Sequence, residues 1–134
     1  MRRSSVPNIP RWFWLSAGAL WCAVVIYFSL LSPDRLPKLF VSIKDLILHF
    51  VAYGVAAFLL TMGSRSPRGP WKPALVSFVL GVGLEFLQPL VAVGRQFSYS
   101  DMGANTAGLI FGMLLALRIG KRIFNPKNLP HAKP

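Results

Sequence analysis

Apolar residues run through this chain in blocks of membrane-spanning length. From Trp12 to Leu31 the sequence WFWLSAGALWCAVVIYFSLL carries no charge. At a rise of about 1.5 Å per residue, a helix over that block crosses a hydrocarbon core of roughly 30 Å. Three further blocks follow at about 46–62, 73–93 and 102–117, each interrupted by very few strongly polar side chains: His49 in the second, Glu85 and Gln88 in the third, Asn105 in the fourth. The pattern predicts an all-α integral membrane bundle of four transmembrane helices. A basic segment (1–11) precedes the four-helix domain (12–117), and a basic, Pro-rich tail (118–134), expected to be disordered, follows it.

Composition narrows the reading. Charged residues make up 14% of the 134 positions, against about 25% in a soluble domain, while the apolar content excludes a disordered basic tail. The 15 Lys and Arg against 4 Asp and Glu are not spread along a polar face, so no nucleic-acid partner is expected. A single cysteine, Cys22, excludes a disulfide within the chain and reads as a packed apolar thiol. The first block is longer than a signal-peptide core of about 7–15 residues, and the bulky Trp21 before Cys22 does not suit lipoprotein cleavage, so the block reads as a retained span.

The basic residues are asymmetric. Arg2, Arg3 and Arg11, then Arg65, Arg68 and Lys72, then Arg118, Lys121, Arg122, Lys127 and Lys133 fall on one side of a four-span chain. Arg35, Lys38, Lys44 and Arg95 fall on the other, making eleven against four. The positive-inside rule then puts both termini in the cytoplasm, with Trp12, Trp14 and Trp71 as interfacial anchors. The first loop, from Ser32 to Lys44, mixes prolines with an apolar patch suited to lie along the outer surface, and Gly63 to Lys72 is a Pro/Gly/Ser turn region.

On that topology the four acidic residues, Asp34, Asp45, Glu85 and Asp101, all avoid the cytoplasmic side. Asp45 opens the second helix with His49 and Tyr53 below it at i+4 and i+8, and Asp101 opens the fourth with Asn105 at i+4. Glu85 lies about 18 Å up the third span, with Gln88 a turn above it. Three helices therefore bring His49, Glu85, Gln88 and Asn105 into overlapping outer layers of the membrane. An ionised carboxylate there costs about 2.5–3.5 kcal/mol, so Glu85 needs partners, with His49 and Arg95 as candidates. Pro89 leaves a backbone carbonyl free near it. Gly81 and Gly83, and the Gly108/Gly112 pair, offer close helix approach. Simpler roles also exist: Asp101 with Ser98 as a helix cap, Asn105 as an interhelical clamp, His49 and Tyr53 as packing residues, Asp34 and Arg35 as solvated loop.

These residues resemble the VanZ-like family in two blocks, KDLILHFVAYGVAAFLL and GLEFLQPLVAVGRQFSYSDMGANTAGLIFG. The matching positions are Asp45, His49, Tyr53, Glu85, Gln88, Arg95, Ser98, Asp101, Asn105 and Gly108; Leu46 departs, standing where the family pattern carries Lys. The resemblance implies a small four-helix protein of the bacterial inner membrane. The family's namesake is linked to teicoplanin resistance, which implies a cell-envelope role without supplying a reaction.

Three function classes follow. In the first, an outer-facing polar pocket binds an anionic or lipid-linked envelope ligand, with Arg95 on the anion and His49, Glu85, Gln88, Ser98, Asp101 and Asn105 as further ligand-binding residues. In the second, a lipid-modifying enzyme uses His49 and Glu85 as acid and base, with Asp45 orienting the imidazole. In the third, an ion-coupled transporter carries protons on Glu85 and, with four spans, needs to dimerise. No cofactor is expected. One histidine among Asp45, Glu85 and Asp101 argues against zinc, which usually takes several nitrogen or sulfur ligands. No pattern in the chain fixes the oligomeric state. The topology is directly testable: a fluorescent reporter fused after Pro134 is expected to be active, and alkaline phosphatase at the same position, which needs the periplasm, inactive.

Overall fold

The computed structural model describes residues 9–36, 45–64 and 71–123, with side chains to Lys121. Among them are α1 (Arg11–Ser29), a short 3-10 turn (Pro33–Arg35), α2 (Asp45–Ser64), α3 (Trp71–Val91) and α4 (Tyr99–Ile123), and no strand. All four α-helices are long and apolar enough to cross a membrane, which makes this a multi-pass membrane protein. Residues 1–8, 37–44, 65–70 and 124–134 lie outside the described residues. So do the expectations placed on them: the surface-lying part of the first loop, the turn before Trp71, the disordered end of the tail with His131, and the charges of Lys38, Lys44, Arg65, Arg68, Lys127 and Lys133, together with Arg2 and Arg3.

Helix boundaries depart from the hydrophobic blocks where capping and propensity extend them. α3 covers 71–91 rather than 73–93, because Pro73 is tolerated in a first turn whose N–H groups have no intrahelical partner. α4 begins at Tyr99, since the Ser98 hydroxyl accepts the Asp101 backbone N–H at 3.2 Å, a side-chain cap on the first turn. At its other end α4 continues past Leu117 through Arg118 and Lys121, good helix formers whose charge suits a helix C-terminus.

α2 is the centre of the bundle and touches the three other helices, most extensively α4. The two approach at backbone distance. A Cβ on Gly108 would collide with the Phe50 carbonyl and one on Gly112 with the Gly54 carbonyl, while a Cβ on Gly54 would stand 3.3 Å from the Gly108 oxygen. The small-residue face of α4 thus packs inward, as its spacing suggests. α3 buries the stripe Ser77, Gly81, Leu84, Glu85 and Gln88, a helical period of one face; Gly81 lies against the Tyr53 ring, where a Cβ would meet Cε1 at 3.1 Å. Gly83 does not mediate close approach. It is exposed, with no atom within 4 Å of an added Cβ, because it falls two positions off that stripe.

α1 is peripheral and buries only Gly18 and Val25. It is tied to α2 by Trp21 Nε1 donating to the Ala52 carbonyl at 2.8 Å and Arg11 Nε donating to the Gly63 carbonyl at 2.9 Å. The Trp14 ring stands edge-on to Phe58 at 6.1 Å, and Cys22 is a half-buried free thiol. Outward positions carry large apolar side chains such as Leu20, Val79, Leu90 and Leu114, as a lipid-facing surface requires. Trp12 and Trp71 are exposed at the bundle end opposite Asp45.

The α2–α4 seam generates a stability prediction. Gly108→Ala and Gly112→Ala are each expected to cost about 1–3 kcal/mol through forced separation of the backbones, read as a lower melting temperature in detergent. Gly83→Ala and Gly103→Ala, both in open space, are expected to leave it unchanged or raise it.

Candidate functional site

The polar residues gather at the end of the bundle where α2 and α4 begin. His49 is the hub, with a side chain only 10% exposed. Its Nδ1 lies 2.9 Å from Asn105 Oδ1 on α4 and 3.5 Å from Glu85 Oε1 on α3. Its Nε2 faces Asp45 Oδ1 at 3.7 Å, one turn up its own helix, and Asp101 Oδ2 at 3.8 Å on α4. Because an amide oxygen only accepts, the short bond to Asn105 makes Nδ1–H the donor and leaves Nε2 turned toward two carboxylates. Glu85 is 1% exposed, and its Oε2 has no hydrogen-bond partner. Asn105 Nδ2 is likewise buried without one.

Arg95 does not join Glu85. The chain leaves α3 through a turn in which Arg95 N–H donates to the Ala92 carbonyl at 3.1 Å and Gly94 takes a φ of +84°, a conformation that favours glycine. This folds the guanidinium over the end of the bundle at the level of Asp45, and Nη1 stands 3.6 Å from Asp45 Oδ2. Arg95 Nε is buried with no hydrogen-bond partner. Glu85, more than a helical turn lower on α3, is left to His49. Gln88 points across to α1, donating from Nε2 to the Ser29 carbonyl at 3.2 Å. Ser98 works locally as the α4 cap and also bonds the Ser100 hydroxyl at 2.8 Å; Asp101 sits in the first turn and faces His49. Tyr53, 2% exposed, belongs to the apolar core with Val25 and Leu84.

Beside this cluster runs a groove of about 220 Å³ between α1 and α2. Trp21, Val24, Phe28, Leu48 and Val51 form its apolar walls, and Asp45, His49, Gln88 and Arg95 form its polar end. Val24 and Val51 are exposed on the bundle flank, so the groove opens sideways, toward the lipid of a surrounding membrane. Its apolar walls end at a guanidinium whose Nε–H is uncommitted. The sequence reading missed the contribution of α1, namely Trp21 and Ser29. One signal was present: an indole N–H in mid-span needs an acceptor, and Trp21 finds the Ala52 carbonyl in the groove wall.

The chain matches the model of the VanZ/LLP1 family over residues 13–121, a stretch that runs from the first turn of α1 to Lys121 near the end of α4 and contains every residue of the cluster. No curated protein and no solved structure matches it. Four spanning helices, with Asp45, Glu85, Asp101 and Asn105 of the resemblance drawn together around His49, agree with that match: the chain belongs to the VanZ/LLP1 family.

Proposed function

We propose that this protein binds an anionic, lipid-linked molecule of the cell envelope, with the lipid chain in the α1–α2 groove and the anionic group at Arg95. The observation that carries the reading is the form of the groove: apolar along its length, open on the flank of the bundle, and closed at one end by Arg95, whose Nε has no partner and whose Nη1 is only 3.6 Å from a half-exposed Asp45. A phosphate can take over such a loosely paired guanidinium through charge-assisted bonds. The charge asymmetry of the chain supports a cytoplasmic-membrane location with both termini inside and the polar end of the groove outside. His49, Glu85, Gln88, Asp101 and Asn105 shape and hold that end, while Ser98 supports it through the α4 cap.

A second reading, acid–base chemistry on the same ligand, draws on His49 lying 3.5 Å from the buried Glu85 and 3.7 Å from Asp45. One experiment addresses both. A polyprenyl monophosphate is titrated into the detergent-solubilised protein and the bound species are weighed by native mass spectrometry. Binding is expected, with an affinity for Arg95→Gln weaker by about tenfold or more, the loss of one charge-assisted interaction. Absence of binding, or equal binding by Arg95→Gln, overturns the ligand reading. A covalently changed lipid, formed by the wild type and not by Glu85→Gln, shifts the conclusion to the enzyme.

Glu85 gives a separate prediction. Glu85→Gln keeps the volume and an acceptor oxygen, lowers the insertion cost of a charge, and leaves the Arg95–Asp45 pair untouched. It is expected to keep the wild-type melting temperature while removing any change in teicoplanin susceptibility that expression of the wild type produces.

A further inference from the structure

The Nε2 face of His49 poses an electrostatic problem. With Nδ1–H given to Asn105 Oδ1 at 2.9 Å, the Nε2 lone pair points at the Asp45 and Asp101 carboxylates, 3.7 and 3.8 Å away. Three electron-rich atoms facing one another repel unless a positive centre lies between them. A proton on Nε2 would serve, but neither carboxylate stands within the 2.7–3.2 Å or so at which an N–H···O bond forms. Glu85 is a further carboxyl against the same ring. It is 1% exposed, its Oε1 is 3.5 Å from the same imidazole and its Oε2 is without a partner. Against Asp45, Asp101 and Glu85, the one guanidinium paired with the cluster among the described residues is Arg95. Negative charge is therefore left uncompensated when His49 is neutral, and a cation at Nε2 offsets it.

We propose that His49 Nε2, Asp45 and Asp101 bind a divalent transition-metal cation of the Zn2+/Mn2+ kind. The three ligand atoms lie within 4.8 Å of one another. Ligand atoms held tetrahedrally at about 2.0–2.2 Å from one such ion are roughly 3.3–3.6 Å apart; Nε2 already stands 3.7 and 3.8 Å from the two carboxylates, and rotation of Asp45, whose side chain is 55% exposed, draws the two carboxylates together. The imidazole nitrogen selects a transition metal over Mg2+ or Ca2+, which take oxygen ligands. Asn105 and Glu85, on the other side of the ring, are the outer partners that fix a metal-binding histidine in the required tautomer. Zinc with one histidine and two carboxylates keeps an open position, and Asp45 and His49 both line the groove, so an ion held there stands at its polar end. The sequence alone left a divalent metal among His49, Asp45, Glu85 and Asp101 open and counted the single histidine against zinc; the geometry brings Asp45 and Asp101, from two helices, to the one imidazole nitrogen.

The inference stands apart from the ligand reading, because its test uses the metal alone. The full chain, purified in detergent and stripped with chelator, is titrated with ZnCl2 and with MnCl2 by calorimetry in the presence of excess Mg2+. One ion per chain is expected, together with a rise in melting temperature on loading. Asp45→Asn and Asp101→Asn are expected to weaken binding at least tenfold, His49→Gln to abolish it, and Asn105→Leu to weaken it about 10- to 100-fold as the loss of an outer partner does. Asp34→Asn, in the exposed 3-10 turn, and His131→Ala leave it unchanged. Circular dichroism checks that each variant is folded; should His49→Gln fail to fold, the exposed Asp45→Asn decides. No saturable binding of either ion overturns the proposal, as does binding that survives Asp45→Asn and Asp101→Asn or disappears with His131→Ala. Nitrogen NMR of His49 gives an independent reading: both ring nitrogens protonated in the presence of the ions would identify an imidazolium in place of the metal.

Discussion

The backbone contact between α2 and α4 sets the geometry on which everything else in this bundle rests. With Gly108 against the Phe50 carbonyl and Gly112 against the Gly54 carbonyl, the two helices have no side-chain layer between them, so their register cannot drift. In lipid there is no hydrophobic gain from helix association, and close packing of this kind is the main source of it. The same register brings Asp101 and Asn105 of α4 level with His49 of α2. A slip of one turn, about 5.4 Å, would carry Asn105 and Asp101 out of reach of the imidazole and leave Asn105 buried without its partner.

That coupling runs in both directions. Glu85, Gln88, His49 and Asn105 are all buried, and each buried polar group in an apolar medium costs several kcal/mol unless it is satisfied. The cluster is tolerable only because three helices meet at it, and it rejects arrangements in which they do not. α1 takes little part in this. It is held to α2 by two hydrogen bonds to backbone carbonyls and by close packing of Gly18 on Leu60 and of Leu15 on Gly63, below the polar cluster, so it forms a wall of the site rather than part of its foundation.

How much of this was legible in the sequence depended on how costly each feature would be if misplaced. His49, Glu85 and Asn105 stood out because polar side chains within spans must face the interior, and the Asp45–His49 and Asp101–Asn105 spacings put each pair on one helix face. The inward face of α4 was readable from its glycines, yet Gly83 on α3 was misread, since a small residue facing lipid costs nothing and leaves no mark. Arg95 was assigned to Glu85 by proximity along the chain. Its actual pairing with Asp45 follows from the turn at Gly94, a backbone geometry that hydropathy does not encode. The groove was invisible for a similar reason: its walls are ordinary span residues of α1 and α2, and what makes them a site is the space left between the two helices beside His49 and Arg95.

The sideways opening of that groove, past Val24 and Val51, alters what affinity means there. A pocket facing water gains from withdrawing apolar surface from solvent. One facing the bilayer exchanges one hydrocarbon contact for another, because lipid tails are as apolar as the side chains that line it. The tails of bulk lipid are therefore standing competitors for the walls, present at a concentration no scarce molecule can match. On the proposed reading, discrimination falls almost wholly to the few atoms at the polar end, and a ligand there is chosen by its head and hardly at all by its tail.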